Sequence, residues 1–167
     1  ATGYYARDYF KIDPRFGTLA DAQELVSAAH AKGMYVFFDG VFGHHKGNLI
    51  ASPTGKLPVN SSPGAADYNH PATLAFYSEV AAYWVNQLGI DGWRLDQAYQ
   101  VPPNAWSEIR QAVEDASAQR ALAGHQFIKA HAQGKHVCAL VNGHAAHLFR
   151  RHVPKLALED AGLRAAG

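Results

Sequence analysis

Two stretches of this chain share a pattern that restricts its fold: a helix-length segment ends on a glycine and continues into a short apolar run that finishes on charged residues. Gly33 precedes the first run, which finishes at Asp39, and Gly89 precedes the second, which finishes at Arg94 and Asp96. Alternating helices and apolar strands of this kind are typical of α/β proteins built around a parallel sheet. Such folds place their active sites at the carboxyl ends of the strands, where these charged residues fall.

Arg94 and Asp96 end the more informative stretch, Gly-Ile-Asp-Gly-Trp-Arg-Leu-Asp at positions 89–96. Because side chains alternate along a strand, residues two positions apart project from the same side. An arginine in that position holds an aspartate ionised and orients it, as a carboxylate nucleophile requires. An ordinary ion pair at a strand end explains the same residues, and this stretch alone leaves both interpretations open.

The rest of the pattern gives the order of the other elements. Residues 1–17 predict a structured loop, and residues 46–71, rich in Pro, Gly, Ser and Asn, predict a long connection of the kind that often carries function. Helices are predicted after Thr18, from Pro71 and from Pro103. The first apolar run is continuous, which predicts a parallel strand covered on both faces.

Several aromatic residues and one histidine are predicted to be structural. Trp84 and Trp106 lie on the apolar faces of predicted helices, which indicates core positions. Trp93 alternates with Arg94 on the second strand and should therefore face the surrounding helices. His30 is predicted to lie on the buried side of the first helix, and we interpret it as structural rather than catalytic.

Composition changes near residue 120 and excludes some functional classes. The eight tyrosines and three tryptophans precede that point, whereas most of the ten histidines follow it. A net charge of +1 gives no overall signal for nucleic-acid binding, and no apolar run approaches the ~18 residues of a membrane-spanning helix. The single cysteine, Cys138, excludes an internal disulfide. The chain opens without a basic-then-apolar leader, so no signal peptide is predicted in it.

Four stretches resemble motifs of the α-amylase family of glycoside hydrolases. They are Gly3-Tyr4-Tyr5 through Gly17-Thr18, Ala29-His30 through Gly43-His44, Ala66-Asp67-Tyr68-Asn69, and residues 89–96. The resemblance implies that residues 1–120 are a partial (β/α)₈ TIM barrel, with flanking helices and strands like the third and fourth of that barrel. It also implies that residues 46–71 are a short counterpart of the family's inserted B domain, and that residues 121–167 are an atypical Ala/His/Arg-rich segment.

The resemblance further implies a role for each residue of the site. Asp96 would be the nucleophile and Arg94 its positioning partner, while Asp39 would brace the site from the third strand. His44 would hydrogen-bond the sugar in the cleaved subsite, and Tyr4 would stack on the same sugar ring. Together these residues imply a retaining mechanism through a glycosyl-enzyme intermediate.

Two departures from the family pattern lie near these residues. Gly43 stands where members usually carry an asparagine that ligates a structural calcium, and glycine offers no side-chain oxygen. The resemblance thus raises a calcium site that this position argues against, and no other cofactor is predicted. Tyr99 and Gln100 stand where many members have a Lys-His pair that binds the acceptor glucose, so we assign both to substrate binding with an altered acceptor preference. His45 is not separated from His44 by spacing; the motif alone favours His44.

The third departure concerns the general acid, a glutamate that the family carries after its fifth strand. The candidate strand, His136–Val141, is followed by Asn142 and Gly143, and Glu159 lies in a helix-like run that does not match the motif. Loss of a general acid costs about 10²–10⁴-fold in rate. A partial barrel also leaves strand edges open to other chains.

The segment at residues 121–167 supports several further interpretations. Its composition resembles a GC-rich coding region read out of frame, and a natural truncation or an engineered fragment fits the sequence equally well. Cys138, His144, His147 and His152 are candidate zinc ligands, but their spacing matches no known zinc motif and compositional bias explains them as well.

These observations lead to three hypotheses about function. The first is a hydrolase, or a transglycosylase of the same family, that acts on the α-glucosidic bonds of starch or malto-oligosaccharides. The second is a carbohydrate-binding fragment without turnover, which the missing glutamate favours. The third is a fragment that is competent only as a homo-oligomer, in which copies cover each other's open sheet edges. The resemblance favours a secreted or periplasmic bacterial protein.

Overall fold

The structure, a computed structural model, describes residues 3–119, 125–128 and 138–142. Its elements in chain order are α1 (Leu19–Ala31), β1 (Phe37–Gly40), β2 (Asn60–Ser62), β3 (Ala65–Ala66), α2 (Pro71–Leu88), β4 (Gly92–Leu95), a 3₁₀ turn (Ala98–Gln100), α3 (Pro103–Gln119), β5 (His125–Ile128) and β6 (Cys138–Asn142). The predicted alternation of helices and strands is confirmed over the two units that end in β1 and β4. Among the helices so described, none combines the length and apolarity needed to cross a membrane.

The helices begin and end close to the positions that the sequence predicts. Thr18 caps α1: its hydroxyl accepts a hydrogen bond from the Asp21 N–H, and the Asp21 carboxylate accepts one from the Thr18 N–H. Pro71 opens α2, and Gly89 closes it in the left-handed conformation (φ 68°) that favours glycine. The chain therefore turns directly from α2 into β4.

The four-stranded sheet has the order β1-β4-β6-β5 and mixes strand directions. β1 and β4 form the predicted parallel pair, in which Asp39 lies opposite Arg94. β6 runs antiparallel to both β4 and β5, so the prediction of a purely parallel sheet is wrong. The physical reason is the length of the connection: residues 129–137 are fewer than the dozen or more that a parallel crossover needs.

The apolar run that precedes Asp39 pairs over a shorter length than predicted. β1 begins only at Phe37, opposite Gly92, and Met34 is 52% exposed. Phe37 and Phe38 are half-buried, since β1 lies at the edge of the described sheet. A strand covered on both faces throughout is therefore the wrong prediction for this run.

The core lies between the sheet and the helices α2 and α3. Trp93 points from β4 towards α2, where its indole N–H donates to the Ala81 carbonyl at 3.3 Å. Trp84 and Trp106 are also buried, and each donates its indole N–H to a backbone carbonyl. The predictions for all three tryptophans are confirmed. The largest side chains with less than 2% exposure are Tyr77, Phe42, Phe76, Ile90, Leu95 and Ile109.

A buried carboxylate ties α1 to the strand pair. Asp91 accepts a hydrogen bond from the Val36 N–H at 2.8 Å and lies 2.7 Å from His30 Nε2. The Asp91 N–H in turn donates to the Val36 carbonyl at 2.9 Å. His30 thus makes a structural contact, but 40% of its side chain is exposed, so the prediction that it lies on the buried side of α1 is wrong.

Residues 46–71 are bound to α2 through Thr73, which exchanges hydrogen bonds with the backbone of Val59, and through Glu79. β2 and β3 form an antiparallel hairpin within this segment. Glu79 on α2 accepts hydrogen bonds from the Ser52 hydroxyl at 3.0 Å and the Thr54 N–H at 3.3 Å, and it pairs with Lys56 at 3.0 Å. Burial acts to raise the pKa of Glu79, but these donors outweigh burial and lower that pKa below its ordinary value.

We expect Glu79→Gln to destabilise the fold at neutral pH and to weaken its acid sensitivity. Because the folded-state pKa of Glu79 is depressed, its carboxylate stabilises the fold above the unfolded pKa, and this stabilisation is lost as pH falls through the folded pKa. Thermal unfolding measured by circular dichroism between about pH 3 and 7 should show a shallower profile for the variant. Glu108→Gln, at an exposed position on α3, is the matched control. Parallel profiles for wild type and Glu79→Gln would contradict this account.

Candidate active site

Asp39, Arg94 and Asp96 meet at the carboxyl ends of β1 and β4. Arg94 Nη1 donates to both carboxylate oxygens of Asp39, at 2.8 and 2.9 Å, and lies 2.9 Å from Asp96 Oδ1. The register of the parallel pair produces this cluster, because Asp39 lies opposite Arg94. The Asp96 N–H donates to the Gly40 carbonyl at 2.9 Å, which continues the pairing past the end of β4. Arg94 and Asp96 therefore lie on the same side of the strand, as their spacing predicts.

The arginine serves two carboxylates at once. Its hydrogen bond with Asp39, together with the negative charges of Asp39 and Asp96, raises the pKa of Arg94 above its ordinary value despite partial burial. Asp96 is the less accessible of the two carboxylates, with 17% of its side chain exposed against 44% for Asp39. One cation between two anions leaves a net negative charge, which stabilises positive charge that develops nearby.

Two half-buried tyrosines hold the chain that follows β1 through their hydroxyls. Tyr9 Oη lies 2.7 Å from the carbonyl oxygen of Val41 and 3.0 Å from that of His44. Tyr68 Oη donates to the Phe42 carbonyl at 2.7 Å. Burial raises the pKa of both phenols, so both remain protonated and can donate. These bonds define the path of the backbone that delivers the histidine.

His44 is held from two sides. Its Nδ1 lies 2.8 Å from Gln100 Oε1, and Gln100 Nε2 donates to Gln97 Oε1 at 2.6 Å. The ring of Tyr5 packs against the imidazole at a centroid distance of 5.2 Å. Gln97 adopts a left-handed conformation (φ 44°) directly after Asp96, and this turn brings Gln100 back towards His44.

The neighbouring histidine points elsewhere. His45 is 2% exposed, and its two ring nitrogens lie 2.7 Å from the Lys46 carbonyl oxygen and 2.7 Å from Asn60 Oδ1. Both nitrogens are thus occupied by the hairpin segment. His44, in contrast, contacts Gln100 in the turn that follows Asp96.

Tyr4 and Tyr99 present their rings to solvent. They are 42% and 69% exposed, and the Tyr99 hydroxyl lies 3.2 Å from Gln97 Oε1. Of the residues that the sequence assigns to the site, the structure brings Asp39, Arg94 and Asp96 into one cluster and links His44 to Gln100. Both tyrosine rings are partly exposed to solvent.

Sequence reasoning assigned no role to Tyr5, Tyr9 or Gln97, all of which contact the site. Tyr5 and Tyr9 lie in one of the four stretches that carry the resemblance, so the sequence does indicate that this loop matters. Loops lack the periodicity that would show which tyrosine points inward. Nothing in the sequence predicts the role of Gln97, because residues other than glycine seldom adopt the left-handed conformation.

A cavity of about 310 Å³ lies beside this cluster rather than around it. Its lining includes Phe38, Val80 and Trp84 together with residues of the amino-terminal loop, and Asp39 reaches its wall. Arg94 does not line it. Of the three residues in the cluster, the cavity and the strand ends therefore share Asp39.

The space beside Gly43 does not fit a structural calcium ion of the kind the resemblance suggests. A Cβ added to Gly43 would lie 2.4 Å from both Cβ and Oε1 of Gln100, so the glutamine side chain already fills that space. Glycine also supplies no oxygen ligand of the kind calcium requires. Within the part of the chain that the structure describes, no three His, Cys, Asp or Glu side chains come together as a metal site. The candidate zinc ligands His144, His147 and His152 lie outside that part.

The described strands bring no glutamate to the site from the carboxyl-terminal side. β5 has its carboxyl end level with the site, because Ile128 pairs with Ala139 and Ala139 pairs with Arg94. The sequence after Ile128 contains neither Asp nor Glu before Glu159, which lies outside the described residues. A general acid for this site therefore has no candidate among the residues that immediately follow β5.

Comparison with known proteins identifies amylases and cyclomaltodextrinases among the relatives of this chain. Residues 1–50 match the α-amylase catalytic domain family model. A cyclomaltodextrinase of Thermoanaerobacter pseudethanolicus is 30% identical over 151 residues, covering 72% of this chain and 26% of the relative. The intracellular maltogenic amylase of Bacillus subtilis is 32% identical over 136 residues, covering 66% of this chain and 23% of the relative. The chain thus spans about a quarter of the length of these relatives.

Solved structures agree with these relatives. The structure of AmyP in complex with maltose superposes with a TM-score of 0.67 at 50% identity, covering 84% of this chain and 26% of that chain. A maltogenic α-amylase, AmyB, from Thermotoga neapolitana superposes with a TM-score of 0.56 at 28% identity, covering 67% of this chain and 30% of that chain. The similarity therefore extends over most of this chain and a limited part of each larger protein.

Proposed function

The chain belongs to the α-amylase family of glycoside hydrolases, and on this premise we propose that its site cleaves the α-glucosidic bonds of malto-oligosaccharides or starch by a retaining mechanism. The observation that carries the proposal is the cluster of Asp39, Arg94 and Asp96 at the ends of two parallel strands. The names of the relatives and the maltose in the AmyP structure support malto-oligosaccharides as the ligand class. We assign β1 and β4 to the third and fourth strands of a partial TIM barrel.

Asp96 is the nucleophile in this proposal. Its carboxylate forms a bond to the anomeric carbon while the glycosidic C–O bond breaks, and the leaving oxygen takes the bonding pair and a proton from a general acid. Arg94 holds Asp96 Oδ1 at 2.9 Å, so the other carboxylate oxygen is presented to the sugar. Water then hydrolyses the glycosyl ester, or a second sugar accepts the glycosyl group in a transglycosylase.

The remaining residues bind and orient the sugar. His44 hydrogen-bonds the sugar ring in the cleaved subsite, and Tyr4 stacks on that ring through its exposed face. Asp39 braces Arg94 from β1. Tyr99, with its ring 69% exposed, lies on the acceptor side and contributes a second stacking surface there.

A second candidate is a carbohydrate-binding fragment without turnover. The observation that favours it is the absence of Asp and Glu from residues 116–158, where the family's general acid would be expected. A homo-oligomer in which another copy covers the open edge of β1 is a route by which the missing carboxylic acid could be supplied.

We expect the chain to bind maltotriose, and Tyr4→Ala to weaken the affinity about tenfold by removing the stacking surface. Isothermal titration calorimetry measures the affinity of the wild type and of Tyr4→Ala for maltotriose. Phe16→Ala is the matched control, because Phe16 is an exposed aromatic residue of the same loop. Reducing-sugar release from soluble starch, measured on the same samples, then separates the candidates. Binding with turnover selects the hydrolase, binding without turnover selects the binding fragment, and no binding contradicts both.

A further inference from the structure

We propose that Gln100 is the positioning residue of His44, and that Gly43 is the residue that makes room for it. The inference rests on the proposed function in one respect, because it takes His44 as a sugar-binding residue. It concerns how the imidazole is oriented and which of its two nitrogens carries the proton. Three observations on neighbouring residues lead to it.

The first observation is steric. Gly43 immediately precedes His44, and a Cβ at position 43 would lie 2.4 Å from Cβ and Oε1 of Gln100 and 3.1 Å from its Cδ. Any other residue at position 43 would therefore displace the glutamine side chain. The Gly43 carbonyl accepts a hydrogen bond from the Ala66 N–H at 3.0 Å, so the backbone at this point is held in place and cannot simply retreat.

The second observation is the direction of the hydrogen bonds. Gln100 Nε2 donates to Gln97 Oε1 at 2.6 Å, which leaves Gln100 Oε1 facing His44 Nδ1 at 2.8 Å. A carbonyl oxygen only accepts, so the proton of the neutral imidazole must sit on Nδ1. Nε2 is then an acceptor, suited to a hydrogen bond from a sugar hydroxyl.

The third observation is that the turn carrying Gln100 is anchored. Ala98 is buried, and its carbonyl accepts a hydrogen bond from the indole N–H of Trp106 on α3 at 3.0 Å. The same turn starts directly after Asp96. One anchored turn thus sets the position of the nucleophile at its start and of the histidine at its end.

The test is the tautomer of His44, read from long-range ¹H–¹⁵N spectra of the uniformly labelled chain at about pH 8. A His44→Asn variant assigns the signals. We expect the Nδ1–H form in the wild type, and in Gln100→Ala a mixture dominated by the Nε2–H form that free histidine favours in water. Gly43→Ala should give the same change as Gln100→Ala, because it displaces the same amide.

Two further variants complete the design. Gln100→Glu keeps an oxygen acceptor opposite Nδ1 and should retain the wild-type tautomer, which also covers the case that Gln100→Ala does not fold. Gln111→Ala removes an exposed amide that donates to Asp115, and it should leave the His44 signals unchanged. An Nε2–H tautomer in the wild type, or identical spectra for wild type and Gln100→Ala, would overturn the proposal.

A failure of this proposal can be told apart from a failure of the proposed function. The tautomer is measured without sugar, so a chain that binds no maltotriose can still show the Nδ1–H form and its loss in Gln100→Ala. In a chain that binds maltotriose, Gln100→Ala should raise the Kd about fivefold, the worth of one hydrogen bond. Unchanged affinity alongside an altered tautomer would overturn the role of Gln100 in sugar binding.

Discussion

Wild-type chain mixed with α-maltotriosyl fluoride should release fluoride in a burst, and Asp96→Asn should abolish that burst. Fluoride departs with the C–F bonding pair and needs no proton, so the first step requires the nucleophile but no general acid. Asn has nearly the shape of Asp but is neutral and a poor nucleophile, and we expect a loss of at least about 10³-fold in the burst rate. A fluoride electrode measures the release directly.

The burst should approach one fluoride per chain and then slow sharply. Hydrolysis of the glycosyl ester requires a base that activates water, and the described strands bring no glutamate to the site for that purpose. Asp115→Asn, at an exposed position on α3, is the matched control and should show the wild-type burst. An equal burst in Asp96→Asn would remove this residue from the mechanism.

Arg94→Ala has the second-largest expected effect, a loss of about 10²-fold in the burst rate. Arg94 Nη1 contacts both Asp39 and Asp96, so its removal leaves two neighbouring carboxylates without their shared cation. The carboxylates then repel each other, and Asp96 loses the contact that orients it. The ratio of burst rates, together with the Tm of each variant, measures the effect.

The controls for this experiment separate charge from structure. Arg94→Lys keeps a cation on β4 and should recover part of the rate, though a lysine reaches less far. Arg110→Ala removes a surface arginine that pairs with Glu114 at 2.7 Å on α3, and it should leave the burst unchanged. A wild-type burst rate in Arg94→Ala would contradict the positioning role.

Local sequence rules predict much of this site because its central contacts are local or periodic. The period of two along β4 places Arg94 and Asp96 on one side, and the glycine after each helix marks where a strand follows. The parallel pairing then adds Asp39 from the neighbouring strand end. The positions of these three residues therefore follow from general strand geometry.

The contacts that the sequence does not predict depend on distant or unusual backbone geometry. Gln100 reaches His44 across 56 positions of sequence, through a left-handed turn at Gln97 that a residue other than glycine seldom adopts. The direction of β6 depends on the length of a connection rather than on its hydrophobic pattern. The exposure of Met34 depends on where β4 begins.

Mass spectrometry of the trapped glycosyl-enzyme tests the central claim most directly. The wild-type chain, mixed with α-maltotriosyl fluoride and quenched in acid, is digested with trypsin, which cleaves after Arg94 and Arg110. We predict one maltotriosyl ester on the peptide at residues 95–110, which fragmentation places on Asp96. An ester on Asp39 or any other residue, or no ester despite a fluoride burst, would contradict Asp96 as the nucleophile.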